Sequence, residues 1–413
     1  RGDRFATPLK LSAVAVAAVP ACVRSAARAL REHSVPYGAV VSAFSLLALA
    51  LRLHLLGEQS IWWDEGLAVW AARQDAVSIA RWTSTDVHPP LYFWLLHAWR
   101  LVVGESAFGL RLLSVFAGVL LVPLSGALGR LLSGTRAGMA AAGLVAIQPF
   151  LVWWSQEMRM YQLGALLATL SLLLTFRLTN GLAPTARRTV LWLSYVVATA
   201  AALYTLYLAV IVVILEAAYV ALWAMRTPSR RRELLFWLAA MAATLTLAAP
   251  WVLYAVARMR TWSSASPWSV EQFVRVYLAL LSVGASTNVD DHALPSGVFC
   301  VVAVVAAAGL LARRRRSHGL QIALLIACVL VLPVAVFVLT LSRGLFYSPN
   351  VEARYLLLFA PAVYVLLAWG LSALGARWLL AGAVALTALA SGGLAQHYRQ
   401  RYLEDDYQSV VAV

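Results

Sequence analysis

Residues 319–341 read GLQIALLIACVLVLPVAVFVLTL and contain no charged side chain. About 20 apolar residues in a helix cross about 30 Å of bilayer hydrocarbon, so this stretch predicts a transmembrane helix. The whole chain shares the bias, because its 413 residues are 62% hydrophobic and 12% charged, with a mean hydropathy of +0.78. Soluble domains carry roughly twice that charge. The composition excludes a soluble globular enzyme and a disordered chain, and it predicts an all-α polytopic membrane protein.

Ten further apolar runs predict spans, at residues 37–56, 109–130, 137–154, 161–178, 190–204, 206–225, 234–256, 296–312, 354–371 and 376–395. The run at 91–103 reaches only roughly 20 Å as a helix. Arginine clusters between spans are typical of cytoplasmic loops, and here they include Arg187, Arg188, Arg230 to Arg232 and Arg313 to Arg316. All these clusters fall on the cytoplasmic side if 91–103 lies in the outer leaflet and does not cross the membrane. The prediction is eleven spans, with the N-terminus inside and the C-terminus outside.

Three regions follow from this topology. Residues 1–36 are expected to be a basic cytoplasmic segment, and 37–395 a transmembrane domain with outer loops at 57–108 and 257–295. Residues 396–413 are expected to be an outer tail that begins a truncated or vestigial soluble domain. The apolar stretch 11–23 precedes Arg24, Arg28 and Arg31, which favours an interfacial helix. A signal peptide or an extra span is the alternative, and an extra span would reverse the topology unless 91–103 also crossed.

The unusual polar residues converge on the outer side of this topology. Asp64 and Glu65 lie in the segment Ile61-Trp62-Trp63-Asp64-Glu65-Gly66, beside hydrocarbon, where acids are costly unless they face water or a cation. Successive helical side chains point about 100° apart, so only one of the two is expected to face a given site. The other candidates are His88 before Pro89-Pro90, then Glu157, Arg159 and Tyr161 after Ser155, and finally Glu352, Arg354 and Tyr355.

Each candidate also has a structural interpretation. The pair Trp62 and Trp63 suits an interfacial aromatic belt, and His88 suits a cap for the helix that begins at 91. Glu157 with Arg159 suits a structural ion pair, and Arg354 an anchor that flanks a span. The group Asp290, Asp291 and His292 suits a solvated loop. Glu216 lies inside a span, where it either hydrogen-bonds a neighbouring helix or relays protons.

These residue types favour one chemistry. The sequence has neither a Walker loop nor a Rossmann glycine fingerprint, which fits a site on the side of the membrane without nucleotides. Group transfer there needs an activated substrate already in the membrane, such as a polyprenyl-phosphate sugar. Its phosphate needs cations, for which arginine is suited, and the attacking hydroxyl needs a base, for which a carboxylate is suited. Asp64, Arg159 and Arg354, with His88 as a further candidate, supply this set.

The order of these motifs resembles the membrane-embedded GT-C glycosyltransferases. Trp63-Asp64-Glu65-Gly66, His88-Pro89-Pro90-Leu91-Tyr92, Ser155 to Tyr161, and Glu352-Ala353-Arg354-Tyr355 are similar to patterns in bacterial relatives of protein O-mannosyltransferases and of the lipid A aminoarabinose transferase. The likeness covers about residues 37–413. It implies a lipid-phosphate-sugar donor, outer-leaflet helices in the first outer loop, and Asp64 as catalytic base. Relatives often carry a histidine where this chain has Leu206, so the turn from Tyr204 to Tyr207 is given no catalytic role.

The resulting hypothesis is an inverting glycosyltransferase of the bacterial inner membrane, active on the outer face, with a lipid, glycan or protein hydroxyl as acceptor. Asp64 is the expected base, and the expected substrate and phosphate ligands are Glu65, His88, Glu157, Arg159, Tyr161, Arg354 and Tyr355. No cofactor is required by the sequence, although a divalent cation is compatible with the carboxylates, and no nucleic acid is expected as a partner. The alternatives are a lipid or sugar transporter, or a non-catalytic partner in envelope assembly.

Overall fold

The computed structural model describes residues 36–180, 185–227, 231–259, 269–284, 289–314, 319–341 and 353–400. Across these ranges the regular secondary structure is helical. The candidate positions Glu352, 11–23 and 401–413, and several of the clustered arginines, lie outside the described residues.

The first part of the chain alternates long helices with a group of short ones. Helix α1 spans Tyr37–Leu53 and α5 spans Ala107–Ser133. Between them, the predicted outer loop contains three helices, namely α2 (Trp63–Ala72), α3 (Ala76–Thr83) and α4 (Leu91–Val103). Helix α4 has the bounds of the short apolar run, so the sequence located it correctly.

The remaining helices follow in chain order: α6 (Thr135–Ile147), α7 (Pro149–Ser155), α8 (Tyr161–Asn180), α9 (Thr185–Thr205), α10 (Ala209–Arg226), α11 (Arg231–Val256), α12 (Val270–Val283), α13 (Ala293–Arg314), α14 (Gly319–Leu341), α15 (Ala360–Leu374) and α16 (Ala376–Gln400). Short 3-10 helices, Val289–His292 and Ala353–Phe359, precede α13 and α15. The last helix continues beyond residue 396, where the sequence placed the start of a tail.

Every predicted span coincides with helix, but the count of eleven is not confirmed. Within the described ranges, eight helices are long and apolar enough to cross a membrane, or nine if one bent pair counts as a single span. Helix α1 has 17 residues and therefore falls short by length, and α9 is not among the eight. The chain is a multi-pass membrane protein.

Two local features differ from the prediction. The span expected at 137–154 is broken at Gln148, where α6 and α7 meet at a bend of 56°. Pro149 begins the second half, and Gln148 Nε2 donates to the Leu281 carbonyl at 2.7 Å. The loop expected at 257–295 contains α12. A capping box formed by Ser269 and Gln272 lies at the start of this helix. That Ser-x-x-Gln pattern is a helix-start signal readable in the sequence.

Helix α15 lies at the centre of the packing, since twelve of its fifteen residues are buried. Its Gly370 lies so close to α13 that an added Cβ would stand 2.1 Å from the Ala306 carbonyl oxygen. Small residues allow this backbone approach, as is common between membrane helices. The tightly held α15 fixes the 3-10 helix before it, which carries Arg354 and Tyr355.

Candidate active site

Asp64 contacts two arginines from distant parts of the chain. Nη1 of Arg354 donates to Oδ2 at 2.5 Å, and Nη2 of Arg159 lies 3.6 Å from the same oxygen. Nη1 of Arg159 also donates to the backbone carbonyl of Asp64 at 3.2 Å. The Asp64 side chain is 20% exposed, whereas the Arg159 and Arg354 side chains are 5% and 12% exposed. The structure therefore joins the expected base to the expected phosphate ligands and leaves the carboxylate the most accessible of the three.

Glu65 points in another direction, as the 100° step along α2 requires. Both acids lie in the first helical turn, where the helix dipole favours negative charge. The Glu65 side chain is fully buried and forms a two-point ion pair with Arg111, at 2.9 and 2.6 Å. Its Oε1 also accepts from the Met158 backbone N–H at 2.9 Å. This is the environment of a structural carboxylate, which differs from the substrate contact that the sequence suggested.

Arg111, which holds Glu65, is a residue that the sequence reasoning missed. All five of its N–H groups have acceptors: besides Glu65, they donate to the carbonyls of Leu56 (2.8 Å), Gln59 (3.0 Å) and Ser60 (3.2 Å). The guanidinium therefore ties α5 to the chain that leads into α2. The sequence contained a signal for Arg111, because a charged residue inside an apolar run is rare unless it has a partner.

His88 connects the cluster to a second carboxylate. Its Nδ1 lies 3.2 Å from Asp86 Oδ2, and its Nε2 lies 3.1 Å from the Tyr161 hydroxyl. A carboxylate only accepts, so Nδ1 carries the proton and Nε2 accepts from Tyr161 in the neutral ring. Burial lowers the pKa of His88, and the charges of Arg159 and Arg354 lower it further, against the opposing effect of Asp86. The ring is therefore neutral at pH 7.

The pKa of Asp86 is also displaced. Burial opposes its ionisation, but the hydrogen bond from His88 and the charge of Arg159 act the other way, and together they hold the pKa of Asp86 below its ordinary value. Both ring nitrogens of His88 are used in these contacts, and the N-cap of α4 is Pro90. The capping interpretation of His88 is therefore wrong.

Tyr161 and Tyr355 provide an aromatic boundary to the two arginines. The rings meet edge to face with centroids 5.9 Å apart. The guanidinium carbons of Arg159 and Arg354 lie 5.8 and 5.6 Å from the centroid of the Tyr161 ring. Contact with an aromatic face stabilises a guanidinium and restricts its orientation. Tyr161 thus contacts both cations with its ring and His88 with its hydroxyl.

Glu157 is held by two tryptophans. Trp62 Nε1 donates to Oε2 at 2.6 Å and Trp153 Nε1 donates to Oε1 at 3.2 Å. Glu157 is buried, so these indoles compensate for the loss of water around its carboxylate. Trp62 therefore has a specific polar partner beyond any role in an aromatic belt, whereas Trp63 is exposed.

The irregular turn at 156–160 presents these side chains because its ends are fixed. Arg52 on α1 is buried and donates to Ser155 Oγ at 3.0 Å and to the Ala146 carbonyl at 2.9 Å. Gln156 Nε2 in turn donates to the carbonyls of Arg52 (3.0 Å) and His54 (2.9 Å). The end of α7 is thereby tied to the end of α1, and the chain must turn before α8 begins.

Several other predicted groups lie apart from this cluster. Asp290 is exposed and pairs with Arg275, as expected of a solvated loop, whereas His292 is buried and its Nε2 lies 3.5 Å from Gln396 Nε2, so the prediction is wrong for His292. Glu216 is buried and accepts from Ser171 Oγ at 2.9 Å and from the Tyr195 hydroxyl at 3.0 Å. This is the hydrogen bond to neighbouring helices that was one of its two interpretations. Among the described residues, no three His, Cys, Asp or Glu side chains form a group that could hold a metal ion.

The cluster that the structure assembles contains six of the eight predicted site residues in mutual contact: Asp64, His88, Arg159, Tyr161, Arg354 and Tyr355. Glu157 lies beside the cluster, since it is two residues before Arg159 and accepts a bond from Trp62. Glu65 instead faces Arg111. Asp86 and Arg111 are the additions that the structure makes.

Comparison with known proteins gives one family match. The family model described as dolichyl-phosphate-mannose-protein mannosyltransferase matches residues 87–254, which is less than half of the chain. This segment includes His88, Glu157, Arg159 and Tyr161. No curated protein matches the sequence.

Solved structures match over most of the chain. ArnT from Cupriavidus metallidurans in the apo state is 16% identical with a TM-score of 0.61, covering 89% of this chain and 66% of ArnT. The oligosaccharyltransferase of Archaeoglobus fulgidus, tethered with an acceptor peptide, is 14% identical with a TM-score of 0.51, covering 87% of this chain and 55% of that one. The chain thus spans about two thirds and about half of their lengths. The expected architecture is confirmed: this chain is a membrane protein with the GT-C fold.

Proposed function

We propose that this chain is a glycosyltransferase that moves a sugar from a polyprenyl-phosphate donor to an acceptor hydroxyl with inversion at the anomeric carbon. The observation that carries the proposal is the contact of Asp64 with Arg354 and Arg159. A partly exposed carboxylate beside two mostly buried guanidiniums provides a base and an anion site within a few ångströms. The residues come from α2, the turn before α8 and the 3-10 helix before α15.

The reaction is a single displacement. The acceptor oxygen forms a bond to the anomeric carbon while the bond from that carbon to the phosphate oxygen breaks. The bonding electrons leave with the phosphate, and the acceptor proton passes to Asp64. Arg354 and Arg159 stabilise the charge that collects on the departing phosphate, because guanidinium binds phosphate oxygens through paired N–H donors. A positioned base of this kind contributes typically 10²–10⁴-fold to the rate.

The neighbouring residues orient these groups. His88, held neutral by burial, keeps the Tyr161 hydroxyl in place, and Tyr161 with Tyr355 confines the guanidiniums. Glu157 is proposed to bind a substrate hydroxyl or to orient Arg159. For Glu65 we propose a positioning role through Arg111, in place of the substrate contact first expected.

The donor class is supported by the family match, whose description names a dolichyl-phosphate-mannose donor and a protein acceptor. ArnT, whose apo form shares this fold, is also known with undecaprenyl phosphate bound. The site is proposed to face the outer side of a bacterial inner membrane, which the distribution of arginines in the sequence favours. We propose that two guanidiniums suffice as cations, so that no divalent metal is needed.

The test is direct transfer by the purified chain. A panel of radiolabelled lipid-phosphate sugars is supplied, and release of free polyprenyl phosphate is measured together with transfer of the sugar. We expect release that depends on an acceptor, and we expect Asp64→Asn to abolish it while donor binding persists. Release by Asp64→Asn at the wild-type rate would remove the base assignment, and movement of intact donor across vesicles without release would favour a transporter.

A further inference from the structure

Buried polar atoms without a hydrogen-bond partner occur together near Tyr161. In the described part of the chain they include Nε1 of Trp154, Nε of Arg159 and both amide atoms of Gln162. These residues are 7%, 4% and 0% exposed. An unpaired buried polar group costs about 1–3 kcal/mol, so native proteins contain few of them. Three within nine residues indicate a partner that the protein itself does not supply.

Two of the three residues contact the Tyr161 ring, and the third follows Tyr161 in the chain. The Trp154 ring meets the Tyr161 ring edge to face with centroids 5.4 Å apart, and the Arg159 guanidinium lies 5.8 Å from the same ring. Gln162 follows Tyr161 in the first turn of α8. The Tyr161 hydroxyl is bonded to His88, so the unpaired groups of Trp154 and Arg159 border the candidate active site, and Gln162 is the next residue along the chain.

The chemistry of the unpaired atoms limits the ligand. Indole Nε1 and guanidinium Nε only donate, whereas the Gln162 amide both donates and accepts. A phosphodiester has oxygens that accept but no hydrogen to donate, so it leaves Gln162 Oε1 unpaired. Hydroxyls both donate and accept, so two or more of them together can satisfy the whole set. Resting on the proposed function, we propose that Gln162, with Trp154 Nε1 and Arg159 Nε, binds hydroxyls of the donor's sugar.

Gln162→Leu separates this proposal from a structural role. Leucine is similar in size and removes the unpaired amide, so the variant is expected to be as stable as the wild type or more stable. The matched control is Ser125→Ala on α5, because the Ser125 hydroxyl is also buried without a partner but lies roughly 16 Å along the helix from Ser114, whose hydroxyl donates to the Arg159 carbonyl. Both variants delete an unpaired buried group, and only one is expected to affect the ligand.

The experiment measures the affinity of the purified full chain for two probes, polyprenyl-phosphate mannose and bare polyprenyl phosphate of the same chain length. Two neutral hydrogen bonds lost together predict about tenfold weaker binding of the mannose-linked lipid by Gln162→Leu. Binding of the bare lipid is expected to stay unchanged. Trp154→Phe is expected to give a smaller loss in the same direction, and Ser125→Ala no loss with either probe.

Three results would overturn the inference. Equal weakening of both lipids would place the effect at the phosphate or in the fold, and unchanged binding of both would mean that the cluster holds only water. A wild type that binds the mannose-linked lipid no better than the bare one has no such sugar subsite. Failure of the proposed function looks different, because the wild type would then bind neither lipid and transfer no sugar from any donor.

Discussion

The adjacent acids Asp64 and Glu65 are expected to give opposite phenotypes when each is neutralised. Glu65 and Arg111 form a fully buried ion pair, so Glu65→Leu leaves a buried guanidinium without its counter-charge. Breaking such a pair costs about 3–5 kcal/mol. Asp64→Asn keeps a side-chain oxygen that can accept from Arg354 and Arg159, so it is expected to cost less than breaking the Glu65 pair.

The assay combines two measurements on the same preparations. Thermal unfolding in detergent reports stability, and release of polyprenyl phosphate reports transfer by the folded fraction. Asp64→Asn is expected to unfold close to the wild-type temperature and to lack transfer, whereas Glu65→Leu is expected to unfold much earlier. The double variant Glu65→Leu with Arg111→Met is expected to cost less than the two single changes added together, because no buried charge remains.

Two outcomes would refute this reasoning. If Asp64→Asn destabilises the protein as much as Glu65→Leu does, then Asp64 is chiefly a structural residue. If Glu65→Leu is as stable as the wild type, the buried pair with Arg111 does not hold α2 in place. In either case the division of roles between the two acids is wrong.

Three further predictions concern other groups. The lowered pKa of His88 means that the unfolded chain binds its proton more readily, so stability is expected to fall as pH drops below about 6.5, and His88→Asn should flatten that part of the thermal profile. Glu216→Gln is expected to keep the bonds from Ser171 and Tyr195 and to unfold near the wild-type temperature, whereas Glu216→Leu, which removes the acceptor of the Tyr195 hydroxyl and leaves Ser171 only its bond with Thr199, should lose about 1–3 kcal/mol. Transfer is expected to persist in a chelator, since Asp64 is paired with arginines; loss of activity that Mg²⁺ restores would contradict this.

The helices were predictable because the apolar length of a span is a local property of the chain. The break at Gln148 had a local signal in Pro149, but the bond from Gln148 to Leu281, far along the chain, is not readable from local sequence. Helix α12 was not predicted because its amphipathic pattern is short, although Ser269 and Gln272 marked its start. Local patterns thus located the elements but gave the span count only approximately.

The sequence predicted which residues form the site better than it predicted the contacts among them. Residue chemistry and motif order selected Asp64, Arg159 and Arg354, which the fold brings together across as many as 290 residues of sequence. The separate fate of Glu65 depended on Arg111, 46 residues away, and no local pattern specifies that partner. Helical periodicity indicated that the two acids would diverge, but only the tertiary structure shows which one faces the arginines.

The charges of the cluster bear on the order of events in the proposed reaction. Asp64 and Asp86 oppose Arg159 and Arg354, and His88 is neutral, so these five residues carry no net charge before a substrate arrives. A lipid phosphate adds a negative charge that shares the two guanidiniums with Asp64. The phosphate and Asp64 then compete for the same N–H donors of Arg354 and Arg159. An acceptor that arrives first therefore meets a carboxylate whose charge the arginines already satisfy, whereas one that arrives after the donor meets a carboxylate that shares those arginines with the phosphate.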